Sequence, residues 1–293
     1  MTQITRDSGL THQPSISADG NFVVYASDRA TGKDMDIWIQ HVSGGQPVRL
    51  TSTLENEVHP SLSADGRKVA FQRGSESLDQ GIFVIPALGG TPRLLASKGL
   101  APQISPDGKT VAFATGSCMQ QSEVRVVSTE QGPARTVPFD LKWAMGPIWV
   151  RDGKSLLLWT GPPACAELRG TACDYWILPA SGGVAAATGV EKQLAKAGSL
   201  SMLQNIVAWT LPASSEGPDG LVTAAQLGDG YDLWLIPMPG GKAAPPVTRI
   251  TVGAGAANPS VAASTGRIAF ARRSGGQGLW MLPIEAATGR GDR

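Results

Sequence analysis

The sequence predicts an all-β fold, a six-bladed β-propeller of four-stranded antiparallel blades, from three observations. A phrase recurs as Pro14-Ser-Ile-Ser-Ala-Asp-Gly20, Pro60-Ser-Leu-Ser-Ala-Asp-Gly66 and Pro102-Gln-Ile-Ser-Pro-Asp-Gly108. Six short apolar stretches stand at matching places, around Trp38, Phe83, Arg125, Trp176, Trp234 and Trp280. Near the N-terminus, Gln3-Ile-Thr5 resembles Arg49-Leu-Thr51 and Arg249-Ile-Thr251, while the last unit has no such segment of its own. A unit of roughly 40 residues cannot bury its own apolar surface, so repetition implies that neighbours supply the core.

Each unit is read as opening with a strand led by Pro and turning at Asp-Gly. That pair is a strong hairpin signal because both central residues tolerate positive φ. Second strands follow at Asn21–Ala26, Arg67–Gln72, Lys109–Ala114 and Lys154–Trp159. Their alternation, as in Val69-Ala-Phe71, suits a strand packed between two sheets. Third strands carry the aromatic series, except that Arg125 replaces the aromatic in one. Gly44-Gly45, Gly89-Gly90, Gly182-Gly183 and Gly240-Gly241 then turn the chain into fourth strands such as Pro47–Thr51 and Val247–Thr251.

The fifth unit is degenerate: its first strand is placed at Gly198–Leu203, and Leu211–Tyr231 reads as a long insertion rich in Gly, Ser and Ala. Val190–Ala197 is the one segment with the residues for a helical turn or two. Thr5 precedes Pro14 by the same nine residues that separate Thr51 from Pro60, so the N-terminal strand is expected to complete the last blade. Closure of this kind removes open sheet edges.

Composition supports one domain spanning residues 1–293. Twenty-five basic and 24 acidic residues are scattered, for a net charge of +1, which leaves no electrostatic footprint for nucleic acid or an anionic membrane. No apolar run reaches the roughly 18 residues of a transmembrane helix, so no membrane insertion is expected. Met1–Arg6 has neither the basic nor the apolar part of a secretory signal, which leaves the compartment open.

Pro60-Ser-Leu-Ser-Ala-Asp-Gly-Arg-Lys-Val-Ala-Phe71 and Ile104-Ser-Pro-Asp-Gly-Lys-Thr-Val-Ala-Phe113 resemble the WD40-like (PD40) repeats of the TolB propeller family. The resemblance covers nearly the whole chain and implies a six-bladed ring, often used in protein interaction. Asp174–Gly183, Tyr231–Pro237 and Gly266–Phe270 are similar to the C-terminal propellers that follow a Ser/Thr kinase or winged-helix DNA-binding domain in some bacterial signalling proteins. That likeness implies a sensor or interaction module, with a covalently linked kinase or DNA-binding domain in the full-length protein. TolB-like propellers also cover prolyl-oligopeptidase-type active sites, but the Gly-x-Ser-x-Gly elbow of those hydrolases does not occur here.

Histidine and cysteine carry the remaining chemistry. His12 and His59 stand at or beside the residue preceding each unit's Pro, where first strands begin next to the central channel. With Gln13, Asn258, Trp143 and Met145 at comparable places, they form the candidate ligand-binding channel mouth. Two histidines without a placed carboxylate do not define a metal site, so no metal and no cofactor is expected. His41 reads as a surface residue, and Asp19, Asp65, Asp107 and Asp152 as turn residues. The tryptophans of the third strands read as packing between blades. Arg29, Arg73, Arg272 and Arg273 read as solvated loop residues, with carboxylate or phosphate recognition as the competing use.

Cys165 and Cys173 bracket a loop whose ends an antiparallel pair brings together, so a disulfide between them is geometrically plausible. Such a bond places the chain outside the cytoplasm, in the periplasm for a TolB-like protein, whereas a cytoplasmic chain would keep it reduced. These features together favour a non-enzymatic module binding a protein or small ligand in a bacterial envelope or signalling system. The alternative is a lyase or hydrolase with a metal- or His-assisted site at the channel mouth.

Overall fold

A computed structural model describes residues 1–6, 9–74, 81–116, 122–141, 143–160, 173–198, 200–201, 208–210, 220–228, 230–272 and 278–283. Six antiparallel sheets follow one another along the chain, and each joins strands in the order first, second, third, fourth. Blade 1 runs Thr11–Ile16, Phe22–Ser27, Asp36–His41 and Val48–Arg49. Blade 2 repeats it with Glu57–Leu62, Lys68–Arg73, Gly81–Pro86 and Arg93–Ala96. Blades 3 and 4 open at Leu100–Ile104 and Met145–Trp149. A seven-residue helix, Val190–Lys196, leads into blade 5 and buries Val190 and Leu194.

The sixth sheet is completed from the other end of the chain. Thr2–Gln3 pairs with Met281 and Trp280 of Gly278–Pro283, and Ile4 N–H donates to Leu279 O at 2.8 Å. Thr5 Oγ1 accepts from Leu279 N–H at 2.8 Å. Thr51 and Thr251 do the same for Ile37 and Leu233, each at 2.9 Å. The Thr common to the three similar segments is thus a side-chain acceptor for a third strand, and the N-terminal copy makes the bond that its sequence predicts.

Six apolar clusters lie between neighbouring blades. Second strands explain them, since alternate side chains face opposite sheets. Val24 and Ala26 pack with Phe71 and Ile85 of blade 2, while Val23 and Tyr25 pack with Ala269, Ala271 and Leu279 of blade 6 and with Ile4. Clusters joining blades 2 to 3, 3 to 4, 4 to 5 and 5 to 6 complete the circuit. The tryptophans of the third strands belong to these packings: Trp38, Trp176, Trp234 and Trp280 each contribute to one.

Three details differ from the sequence reading. The Asp-Gly turn has positive φ at glycine alone, between 63° and 72° at Gly20, Gly66, Gly108 and Gly153. A turn closed by Gly20 N–H to Ser17 O at 2.9 Å precedes a left-handed glycine, so the hairpin is not the two-residue type. Asp19 instead accepts from Ser17 Oγ at 2.5 Å and from Asn21 N–H at 3.0 Å. Ser63 with Asp65 and Ser105 with Asp107 repeat this. The serine hydroxyls hold all three carboxyls below their ordinary range.

Blade 5 is the second difference. The segment Leu211–Tyr231, read as an insertion, contains the eight-residue second strand Gly220–Leu227, which pairs in full with Gly230–Pro237. Its first-strand edge is in two pieces, Leu200–Ser201 and Ala208–Thr210. Gly, Thr and Ala depress the apparent strand signal, but burial on both faces of Gly220–Ala225 requires small or apolar side chains rather than alternation.

Third, the repeat's Pro lies inside the first strand, at a bulge. His12 pairs with Ala26 and Ser15 with Val24, so Gln13 and Pro14 oppose Tyr25 alone. The same two-against-one step recurs at His59-Pro60, Ala101-Pro102, Gly146-Pro147 and Asn258-Pro259. Pro fits because it has no N–H to leave unpaired. The preceding residue takes the left-handed region, with φ of 54° at Gln13, 52° at His59, 49° at Ala101, 55° at Gly146 and 49° at Asn258. Only Gly146 adopts this without steric cost. Ala101→Val should therefore lower unfolding free energy in urea by about 1–2 kcal/mol relative to Ala101→Gly; equal stability of the two variants would contradict the strain.

Candidate functional site

First strands of blades 1, 2, 3, 4 and 6 surround a cavity of about 220 Å³ on the ring axis. Counting from the repeat's Pro gives each wall position a chemistry. One residue before Pro, Gln13, His59 and Asn258 line one end. One residue after it stand Ser15, Ser61, Gln103, Ile148 and Ser260, and two after it Ile16, Leu62, Ile104, Trp149 and Val261. Four residues after it, at the Asp-Gly end, are Ala18, Ala64, Pro106, Arg151 and Ala263.

The serines hold the blades in register around this wall. Ser260 Oγ accepts from Ile16 N–H at 3.1 Å, Ser15 Oγ from Leu62 N–H at 3.0 Å, and Ser61 Oγ from Ile104 N–H at 3.0 Å. Each bond crosses from one blade to the next. In blade 4, Trp149 Nε1–H donates to Gln103 O at 3.0 Å.

Gln13 and His59 form the most defined part of the mouth. Gln13 Oε1 accepts from His59 N–H at 2.8 Å, so its amide nitrogen is the donor facing His59 Nε2 at 3.2 Å. That nitrogen must accept, which puts the ring proton on Nδ1, a buried atom with no hydrogen-bond partner among the described residues. Burial, and secondarily the nearby His12, push His59 down to about 4. His59 is therefore a neutral ring locked to the neighbouring blade.

The bulge sorts the residues expected at the mouth. Gln13, His59 and Asn258 occupy the left-handed position and reach the cavity. His12 and Met145 stand one position earlier, opposite Ala26 and Trp159, and do not line it. Trp143 is buried at 3% exposure among Met145, Trp159 and Cys173, away from the cavity wall. Sequence reasoning missed Gln103, Trp149 and Arg151, although their offsets from Pro102 and Pro147 mark them once the strand is known to start before Pro.

The remaining candidates are accounted for by structure. Arg29, Arg73 and Arg272 lie over the rings of Trp38 at 5.1 Å, Phe83 at 4.2 Å and Trp280 at 5.3 Å, while Arg273 lies outside the described residues. Arg73 also pairs with buried Glu57 at 2.8 Å. Asp36 pairs with Arg49 at 2.7 Å, and Asp232 pairs with Arg249. His41 packs edge-on against Phe22 and bonds Ser43 Oγ at 2.6 Å. Cys173 is disulfide-bonded, and Cys165 and Cys118 lie outside the described residues. Among the described residues no three His, Cys, Asp or Glu side chains converge as metal ligands. No helix among them is long and apolar enough to cross a membrane.

His59 sets a pH dependence. Above pH 6.5 the ring is neutral in folded and unfolded chains alike, and stability is at its full value with respect to this group. As pH falls from 6.5 towards 4, the unfolded chain takes up a proton that the folded ring refuses, so stability is lost through that window and levels off below it. Chemical denaturation across this range should show the loss in the native chain and a shallower one in His59→Gln; identical slopes would contradict the burial of a neutral ring.

No family model matches the chain, and no curated protein does. Solved structures do. TolB of Acinetobacter baumannii aligns at a TM-score of 0.60 with 18% identity, over 80% of this chain and 55% of that one. The chain thus spans little more than half the length of that TolB. A TolB candidate from Agrobacterium tumefaciens aligns at 0.59 with 16% identity, over 95% and 91% of the two chains. Oligogalacturonate lyase of Vibrio parahaemolyticus aligns at 0.58 with 12% identity, over 96% and 93%. Similarity at this level extends to the architecture alone: the chain has the six-bladed propeller fold seen in TolB.

Proposed function

We propose that this chain is a non-enzymatic binding propeller whose channel mouth, formed by Gln13, His59 and Asn258, receives a small ligand or a segment of a protein partner. The observation that carries the reading is the strained left-handed backbone at those three residues, which turns their side chains onto the axis. Backbone strain of this kind concentrates at binding and catalytic positions, where it pre-organises side chains. A closed ring adds to this by fixing groups from separate blades, which lowers the ordering cost of recognition.

A lyase or hydrolase has less support. A histidine pushed down to about 4 is a weak base near neutrality, and its Nε2 is engaged by Gln13. The donor set does not fit a resident divalent metal either, since His12 and His59 are joined by no third His, Cys, Asp or Glu among the described residues.

The biological setting is proposed on the same footing. A TolB-like fold and a disulfide-bonded Cys173, for which Cys165 is the proposed partner, favour a periplasmic sensor or interaction module, comprising residues 1–293 as one domain. A kinase or DNA-binding segment in the same polypeptide is the linked partner this reading allows.

Ligand-observed NMR with a panel of small neutral and charged compounds tests the mouth. Asn258→Gly removes the side chain while permitting the φ of 49°. At least one compound should bind the native chain and weaken about tenfold in this variant; a panel whose binders ignore the substitution would contradict the assignment. Metal analysis after dialysis against manganese or zinc should find less than one ion per chain. A stoichiometric ion lost in His12→Ala or His59→Ala would favour the enzyme.

A further inference from the structure

Blade 4 breaks the symmetry of the channel at the end away from Gln13, His59 and Asn258. Where the other lining blades place Ala18, Ala64, Pro106 or Ala263, it places Arg151. Arg151 is the one charged side chain among the described residues that line the cavity, and it has no ion pair or hydrogen bond with any of them. Its neighbour Asp152 is occupied by the turn, accepting from Lys154 N–H at 2.8 Å and Ser155 N–H at 3.0 Å. Trp149, the last residue of the first strand that leads into the turn of Arg151, stands where the other lining blades carry Ile16, Leu62, Ile104 and Val261.

We propose that the channel is a site for a small linear carboxylate, its charged head on Arg151 and its apolar body between Trp149 and the aliphatic belt. This deepens the binding reading above and rests on it. The chemistry follows from the wall. A guanidinium presents paired N–H donors that match a carboxylate. The belt of Ile16, Leu62, Ile104, Trp149 and Val261 offers no hydrogen-bonding side chain beyond the Trp149 N–H, which is already donated to Gln103. An apolar body therefore fits there better than a hydroxylated one. The volume of about 220 Å³ lies below the roughly 300–1,000 Å³ of drug-sized pockets, which suits a small ligand.

Hexanoate is the probe, with hexanamide as its uncharged counterpart, and titration calorimetry the measurement. Hexanoate should bind the native chain at least tenfold more tightly than it binds Arg151→Gln, and at least tenfold more tightly than hexanamide binds the native chain. Arg151 is exposed, so the variant should keep the native unfolding midpoint, which separates loss of binding from loss of fold. The proposal is overturned if hexanoate does not bind, if Arg151→Gln binds it equally, or if hexanamide matches it. Failure of this idea is distinguishable from failure of the mouth: a compound weakened by Asn258→Gly but not by Arg151→Gln removes the carboxylate assignment and leaves the mouth standing.

Discussion

The second strand of every blade is buried on both faces, and this one constraint organises the molecule. Tyr25, Phe71, Phe113 and Phe270 are fully buried, and each belongs to a cluster shared with a neighbouring blade. A row of such sheets always leaves two apolar faces open at its ends, whereas a ring leaves none. Ile4 and Thr5 supply the join, setting the first residues of the chain against Leu279 and against the cluster between blades 6 and 1. The inner wall follows from that join, because the Ser260-to-Ile16 bond exists only if the last blade lies beside the first.

Closure also explains where strain can be tolerated. Left-handed Gln13, His59, Ala101 and Asn258 each cost backbone energy, and a single two-strand hairpin would relax them. Here each lies between a Pro, an opposing Tyr or Phe, and a neighbouring blade bonded to the same strand. The gain is directional: in blades 1, 2 and 6 the bulge brings Gln13, His59 and Asn258 to the cavity, so a fold of repeated parts acquires a polar mouth with few residues. Arg151 and Trp149 mark the same logic at the other end, where one blade departs from the repeat while keeping its backbone.

Much of this was legible because it is written in local chemistry. Pro, Ser, Asp and Gly recur since each has a separate duty: filling a bulge, bridging blades, satisfying turn amides and adopting positive φ. The closing strand was legible from Thr5 because its hydroxyl does what Thr51 and Thr251 do. Blade 5 was less readable, since a strand buried on both faces by Ala, Thr and Val resembles a loop in composition. Of the six residues that the sequence groups at the mouth, Gln13, His59 and Asn258 line the cavity and His12, Met145 and Trp143 do not. A one-residue bulge reverses which side chain faces the axis, and spacing alone does not announce it. Arg151 was hidden inside a turn motif whose Asp-Gly accounted for attention to that segment.

Residue-resolved hydrogen exchange on the native chain and on a variant lacking residues 1–5 tests the closed ring most directly. If the N-terminal strand locks blade 6 to blade 1, its removal accelerates exchange at the Leu279 and Ile16 amides by at least tenfold, more than at the Ile104 amide across the ring. Unchanged protection at Ile16 in the shortened chain would contradict the account, because the ring would then hold without its closing strand.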